Sequence, residues 1–443
     1  SSNSTKMPRP KTLRDATLGS GASLLGRQAS VRFADMGRVL DADLTGANVL
    51  LRTDDQLFAA LALIELDGAA ARIVIAPPDV KAEHLPAVIE RAGIDVVVGE
   101  NSGVEGVRFE RLHLPVAGDA VAPSRKTEWV LFTSGTTGIP KMVAHTLKGL
   151  TGAIQPNAAD DIVWGTFYDI RRYGGLQILL RALLGHASLI LSDAGEDVAD
   201  FLARLGHHGV THLTGTPSHW RRALMSPANA AINPRYVRLS GETADQAVLD
   251  SLKARFPNAA MGHAYASTEA GVGFEVTDGL EGFPASFIGR PGPVEMKIEN
   301  GTLHVRSPRA ASEYIGGGAL QNDGWVDTTD MIEQRGERCY FAGRTGGIIN
   351  VGGLKINPEE VEAIINRYPG VRASRVSGRK SPITGAIVIA DVVLSDAAND
   401  NATFRDAILA ACREKLPPFK VPAMLRFVPK LELTAGGKLS RHG

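Results

Sequence analysis

The stretch LFTSGTTGIPKMVAH, residues 131–145, changes character twice within a short span. The apolar run Trp129-Val130-Leu131-Phe132 reads as a buried strand, and Met142-Val143-Ala144 resumes one. Between them Thr133, Ser134, Thr136 and Thr137 supply hydroxyls, Gly135 and Gly138 supply backbone freedom, and Lys141 supplies a positive charge. A turn of that make-up presents N–H and O–H donors together, which suits phosphate oxygens. A plain Gly/Thr-rich hairpin turn has the same composition, so the loop alone does not decide. The generic phosphate loop G-x-x-x-x-G-K-[ST] does not fit. Ile139-Pro140 precede Lys141, Met142 follows it, and proline blocks the helix start such a loop requires. A phosphate-loop NTPase or kinase is thereby disfavoured, and a phosphate-binding loop of another design is expected.

Outward from the loop, strands and helices alternate. NVLLR, ARIVIAP and IDVVVGE read as strands separated by the helices DDQLFAALALIEL and LPAVIERAG, with Asp54 placed to cap the first. The same rhythm returns over residues 161–265, so two doubly wound αβ subdomains are predicted. From about residue 286 the pattern becomes glycine-punctuated strands, a small β-barrel-like part, with a hairpin at Asn300-Gly301. After the glycine-rich break AGRTGGIINVGG comes a small α+β unit, with Pro358 at the opening of its first helix. The expected division is 1–343, an N-terminal core, and 344–443, a mobile C-terminal cap.

The 443 residues allow two or more cores, and 48 basic against 48 acidic residues give no net charge, which argues against nucleic acid as the main partner. No apolar run is long enough to span a bilayer, and the polar start lacks a signal-peptide core. Met7 is read as the native start. Cys339 and Cys412 lack metal-ligand spacing and read as reduced thiols of a cytoplasmic protein. His207, His208, His212 and His219 read as surface or core histidines rather than zinc ligands. The sequence leaves the oligomeric state open, a homodimer included.

TSGTTGIPK resembles the signature loop of the adenylate-forming enzymes, which include acyl- and aryl-CoA synthetases, peptide-synthetase adenylation domains and firefly-type luciferases. HAYASTEAG (263–271), GWVDTTDMIE (324–333), GRTGGIINVGGLKINPEEVE (343–362) and LTAGGKLSR (433–441) resemble four further motifs of that family, in its order. The resemblance covers about residues 40–443 and implies binding of ATP, Mg²⁺ and a carboxylic acid, with CoA as co-substrate. By it, the loop Thr133–Gly138 with Lys141 would hold phosphates. Glu269 would hold Mg²⁺, since a hard cation prefers carboxylate oxygen, and Thr268 would bond the α-phosphate. Tyr265, followed by Ala266 and Ser267, would stack on adenine, with Gly241, Glu242 and Thr243 on the other side of that pocket. Asp330 would take the ribose hydroxyls and Arg344 would reach the ribose–phosphate region. Lys438, on the glycine loop TAGGK, would neutralise charge on the α-phosphate as the carboxylate attacks.

The acyl pocket is expected around Tyr168, Asp169, Tyr173, Gly241 and Ala266. Ala266 stands where the family usually has glycine, which narrows the pocket. Asp169, Arg171 and Arg172 are unexpectedly charged there. A self-paired acid–arginine cluster is favoured, against an arginine that reads a polar or second carboxylate group on the substrate. The family's hinge residue is here Gly346, followed by Gly347, so a looser pivot is expected. Gly352 and Gly353 would lie on the CoA side. The stretch before the signature loop is shorter than usual in the family.

The resulting expectation is a carboxylate–CoA ligase that makes an acyl-AMP and then a thioester. The alternatives are a free-standing adenylation enzyme loading a carrier protein and, in another class, a non-catalytic nucleotide or acyl-AMP binder. A luciferase-like oxygenase shares the adenylation motifs. With no carrier domain after Lys438, a fused synthetase module is not expected.

Overall fold

The computed structural model describes residues 9–101, 103–133, 138–156 and 161–441. The strands on either side of the signature loop, Glu128–Phe132 and Met142–Thr146, pair antiparallel from Glu128↔Thr146 to Phe132↔Met142. The loop therefore closes a hairpin at one edge of a seven-stranded sheet, whose five other strands include Arg72–Ile75, Asn48–Leu51, Val96–Gly99 and Arg108–Arg111. Those four and Glu128–Phe132 run parallel. The short strand Glu313–Tyr314 pairs with the outer side of Met142–Thr146.

The helix Gln56–Leu66 between two of the parallel strands is almost wholly buried, as an apolar crossover packed on both sides must be. Its cap is Asp55, not Asp54: the extended Asp55 accepts from Leu57 N–H at 2.6 Å. Asp54 lies one residue too early for that bond and instead takes the side-chain amide of Asn101.

A second sheet has eight strands, six of them parallel. It carries Tyr236–Ser240 and Ala260–Ser267 side by side and ends in Gly271–Val276, antiparallel to Ala260–Ser267. The N-terminal strands Ser23–Leu25 and Ser30–Arg32 complete its far edge, a contribution the sequence pattern did not signal. The helix Tyr173–Leu184 belongs to the main apolar core together with residues of the first sheet.

The β part is a five-stranded antiparallel sheet that includes Val326–Arg335 and Arg338–Arg344. Its hairpin Glu295–Glu299/Thr302–Arg306 turns at Asn300 and Gly301, φ 50° and 78°. Two positive φ values define the turn that matches strand twist.

Beyond Arg344, a two-stranded hairpin (Ile349–Val351/Leu354–Ile356), a three-stranded sheet and two helices enclose a separate core that includes Ile356, Val361, Ile365, Val376, Ile408 and Cys412. The helix Pro358–Asn366 starts with Asn357 as cap, proline in its first turn, and Glu359 and Glu360 at its positive end. Polar contacts dock this lobe on the larger one, among them Asn366 to Asp245 at 2.8 Å and Arg367 to Glu281 at 3.1 Å. A cleft of ≈ 360 Å³ remains between the lobes, lined by Glu281 and Tyr340 on one side and Glu359 and Arg441 on the other. An interface this polar and this open can part at modest cost. Among the described residues no helix is long and apolar enough to cross a membrane, and no group of three or more His, Cys, Asp or Glu could hold a metal ion.

Asp67 ties the N-terminal segment to the first sheet. Its carboxylate accepts from Leu13 N–H at 2.9 Å and from the indole N–H of Trp129 at 3.1 Å, all three buried. Asp67→Ala is expected to destabilise the protein by about 2–3 kcal/mol, because two buried donors lose their acceptor. Burial pushes the Asp67 carboxyl up from 3.8 to about 6. A raised folded-state value means that the folded protein holds the proton more tightly. The stabilising contribution is full below pH 4 and is lost as pH rises through 6. Urea unfolding of both proteins should therefore show a wider gap at pH 4 than at pH 7.

Candidate active site

The signature loop begins at Thr133, whose N–H donates to Lys141 C=O at 2.9 Å. Ser134, Gly135, Thr136 and Thr137 lie outside the described residues. Gly138 has φ 110°, a conformation that favours glycine. Lys141 is exposed, with Nζ 5.5 Å from the centre of the Tyr314 ring. Tyr314 is itself in the field of Glu269 and Arg344. This tyrosine, which sequence reasoning missed, gathers the loop lysine, the expected metal carboxylate and the expected ribose-side arginine.

Thr268 and Glu269 form the turn between Ala260–Ser267 and Gly271–Val276. The turn is held by backbone: Thr268 C=O accepts from His145 Nε2 at 2.7 Å, and Glu269 C=O accepts from Ala311 N–H at 2.8 Å. Burial pushes the His145 imidazole down to about 4, so it is neutral and the carbonyl places its proton on Nε2. Neither the Thr268 nor the Glu269 side chain has a hydrogen bond or ion pair among the described residues, so both remain available to a ligand. His145 closes the signature stretch, yet nothing in its neighbours marks it as a support.

Asp330 accepts from the Tyr265 hydroxyl at 2.6 Å and pairs with Arg344 Nε at 3.1 Å. Burial raises its carboxyl, against the pull of Arg344, Tyr265 and Lys438. Tyr265, expected as a platform for adenine, lies near-parallel to Phe341 and Phe274, with ring centres 5.2 and 5.5 Å away. Its ring thus belongs to the aromatic packing of the β part, and its hydroxyl orients Asp330. Ala266 is half-buried against the main core. Ser267 accepts from Ala270 N–H at 3.0 Å and shapes the same turn.

The end of strand Tyr236–Ser240, expected to line the adenine pocket, meets the C-terminal lobe. Gly241 has φ 94° and its Cα faces Lys438: a Cβ built there lies 3.5 Å from Lys438 Cε. Glu242 accepts from Ser218 N–H at 3.0 Å and from Leu439 N–H at 2.9 Å. Thr243 donates to Glu359 at 2.7 Å. The side chains of Glu242 and Thr243 are therefore spent on docking the C-terminal lobe. The strand end meets a helix start and the C-terminal loop at one point, which no local pattern could announce.

Lys438 sits on a tight turn in which Thr434 N–H donates to Lys438 C=O at 2.7 Å and Gly437, with φ 76°, makes the corner. Burial lowers its ammonium, Glu242 and Asp330 raise it, and Arg344 and Arg172 lower it. One cation thus faces two carboxylates and two guanidiniums. Arg172 runs alongside Gly436 and pairs with Asp79.

In the expected acyl pocket, the Tyr168 hydroxyl lies between the carbonyls of Gly215 (2.8 Å) and Ser240 (2.9 Å). Asp169 is not available to a substrate: Arg171 grips it at 2.9 and 2.8 Å and also donates to Thr53 C=O. Two opposite charges at i and i+2 on an irregular turn found each other, the self-paired reading. Tyr173 is buried beside His145, with ring centres 5.7 Å apart.

Two arginines missed by the sequence reading lie deeper. Arg181, on helix Tyr173–Leu184, and Arg238, on strand Tyr236–Ser240, repel each other, and with burial this pushes Arg181 down to about 10. Arg238 is 7% exposed and makes no hydrogen bond or ion pair among the described residues. The nearby Glu275 accepts from the Tyr236 hydroxyl. Arg181 Nε is buried without a partner. Arg238 acts on both Tyr168 and Tyr173, which places the pair beside the expected pocket. Charges that interrupt ILLRALL and YVRLS were the available signal.

Gly346 has open space around it, at the exit from strand Arg338–Arg344. Gly352 and Gly353 form the exposed tip of the small hairpin, φ 56° and 82°.

Residues 45–315 match the family described as AMP-binding enzyme, and residues 360–438 match the AMP-binding enzyme C-terminal domain. The 2-succinylbenzoate–CoA ligase of Salmonella typhimurium is 27% identical over 414 residues, 90% of this chain and 86% of the relative. The solved anthranilate CoA ligase AuaEII, in complex with anthranoyl-AMP, is similar with a TM-score of 0.79 and 18% identity, over 98% of this chain and 96% of that one. The o-succinylbenzoate coenzyme A synthetase from Bacillus subtilis, in complex with ATP and magnesium ion, gives 0.73 and 20%, over 98% of each chain. At these identities the two structures establish a shared fold.

Proposed function

We propose, from the premise that this chain belongs to the AMP-binding enzyme family, that it is an ATP-dependent carboxylate–CoA ligase. The observation that carries this reading is that the C-terminal lobe brings Lys438 against Gly241, within the field of Asp330. In the first half-reaction a carboxylate oxygen of the substrate attacks the α-phosphorus of ATP. The bond from that phosphorus to the bridging oxygen breaks, and pyrophosphate leaves with the electron pair. Lys438 offsets the charge that builds on the phosphoryl oxygens. Asp330, oriented by Tyr265 and Arg344, accepts the ribose hydroxyls. Thr133, Gly138 and Lys141 would hold the β- and γ-phosphates. Glu269 and the phosphates would hold Mg²⁺, which neutralises triphosphate charge; its unengaged carboxylate fits that task. In the second half-reaction the CoA thiolate attacks the acyl carbon and AMP leaves.

We place the boundary between lobes at 343/344, with Gly346 as the pivot that carries the cap from one half-reaction to the other. Gly352 and Gly353 would then serve the CoA side. Cys339 and Cys412 are free and buried, which suits a reducing cytoplasm.

The substrate is a carboxylic acid with a second anionic group. Like charges held together away from water are costly, and Arg181 and Arg238 form such a pair beside Tyr168 and Tyr173, offset in part by Glu275. An anionic tail on the acid would discharge them. The 2-succinylbenzoate acted on by the Salmonella relative is an acid of this kind.

Two measurements test the reading. In a panel of mono- and dicarboxylic acids read by pyrophosphate release, acids with a second carboxylate should be preferred. Arg238→Gln should lower kcat/KM for the preferred diacid by about 100-fold while changing a monoacid isostere only a few-fold. Release of ADP or phosphate instead of pyrophosphate would overturn the function, as would a wild-type adenylation rate in Lys438→Ala. The second measurement is the pH profile of kcat/KM for ATP, which reports groups of the free enzyme. Net lowering of the Lys438 ammonium means that its charge is lost at lower pH than for an exposed lysine. The alkaline limb should therefore fall below the ordinary lysine range and vanish in Lys438→Ala.

A further inference from the structure

The adenylation reading above leaves one task unassigned: what seats Lys438. The residues on either side of it are both held by the large lobe. Before it, Gly437 C=O accepts from the Thr216 hydroxyl at 2.5 Å. After it, Leu439 N–H donates to Glu242 at 2.9 Å. Both holding groups also cap the helix Pro217–Met225. Thr216 Oγ1 accepts from His219 N–H at 3.0 Å, and the other Glu242 oxygen accepts from Ser218 N–H at 3.0 Å. Each is fixed by the helix start before the loop arrives, so little is lost in ordering it when the loop docks.

Shape adds to the bonds. Gly437 lies flat on the His219 ring, and a Cβ there would meet His219 Cε1 at 1.9 Å. The ring cannot yield easily, being stacked on Phe167 with 5.6 Å between centres. Only glycine fits this approach. The lysine between the two anchors is directed to Gly241 and Asp330.

We propose that Glu242 and Thr216 form a latch: positioning residues that hold the C-terminal loop so that Lys438 reaches the nucleotide, and that must release for the second half-reaction. Glu242 acts through the backbone of Leu439, not by touching substrate. Glutamine at this position keeps the shape but offers one acceptor oxygen where two N–H groups need acceptors.

The test separates the half-reactions. With ATP and 2-succinylbenzoate, or whichever panel acid gives the fastest pyrophosphate release, Glu242→Gln should slow adenylation about 30-fold. Thioester formation from chemically prepared acyl-adenylate and CoA should stay within about twofold of wild type. Thr216→Val should show the same split, and Thr216→Ser, which keeps the hydroxyl, should restore adenylation. Without substrate, trypsin cleavage after Arg344 at the pivot should accelerate in Glu242→Gln as the cap undocks. A Glu242→Gln enzyme slowed equally in both half-reactions, or an unchanged cleavage rate, would overturn the latch. Lys438→Ala, run in parallel, separates the outcomes: if it adenylates normally the ligase reading fails, whereas if it is slow and Glu242→Gln is not, the latch alone fails.

Discussion

The site depends on the seating of one half-buried lysine, Lys438, between two lobes. Taking a lysine out of water is costly unless opposite charge receives it. Here Glu242 and Asp330 do so, while Arg344 and Arg172 oppose them. The balance leaves Lys438 seated without an ion pair among the described residues. A fully paired lysine would hold the lobes together and have nothing to offer a transition state.

That requirement explains the character of the lobe interface. Contacts such as Thr243–Glu359, Asn366–Asp245 and Arg367–Glu281 are polar. Water can replace each of them, so the lobes can separate without exposing an apolar face. The C-terminal lobe can afford this because its core, around Ile356, Val361 and Ile408, is its own. Each lobe keeps a core of its own.

The large lobe works as a rigid cradle. The signature loop springs from two paired strands, and the turn with Thr268 and Glu269 is pinned through backbone carbonyls by His145 and Ala311. The Thr268 and Glu269 side chains are left unengaged among the described residues, and their supports are elsewhere. Around the expected acyl pocket, Asp169 is consumed by Arg171, while Arg238 has no hydrogen bond or ion pair among the described residues.

The sequence alone determined what depends on neighbours along the chain. Period and composition gave the alternating strands and helices, the Asn300-Gly301 hairpin and the glycine-rich exit after Arg344, because these are decided within a few residues. Ordered motifs named Glu269, Asp330 and Lys438, since the chemistry of each is carried by its residue type. What tertiary structure decided is where distant segments meet. Glu242 and Thr243, read as adenine-pocket residues, have side chains bonded to the other lobe. Arg181 and Arg238, unremarkable in two apolar runs, became one buried pair. Tyr314, on a two-residue strand, came to lie beside Lys141. The physical reason is common to all three: partners supplied by other parts of the chain set the role of a charged or aromatic side chain, and local pattern carries no record of them.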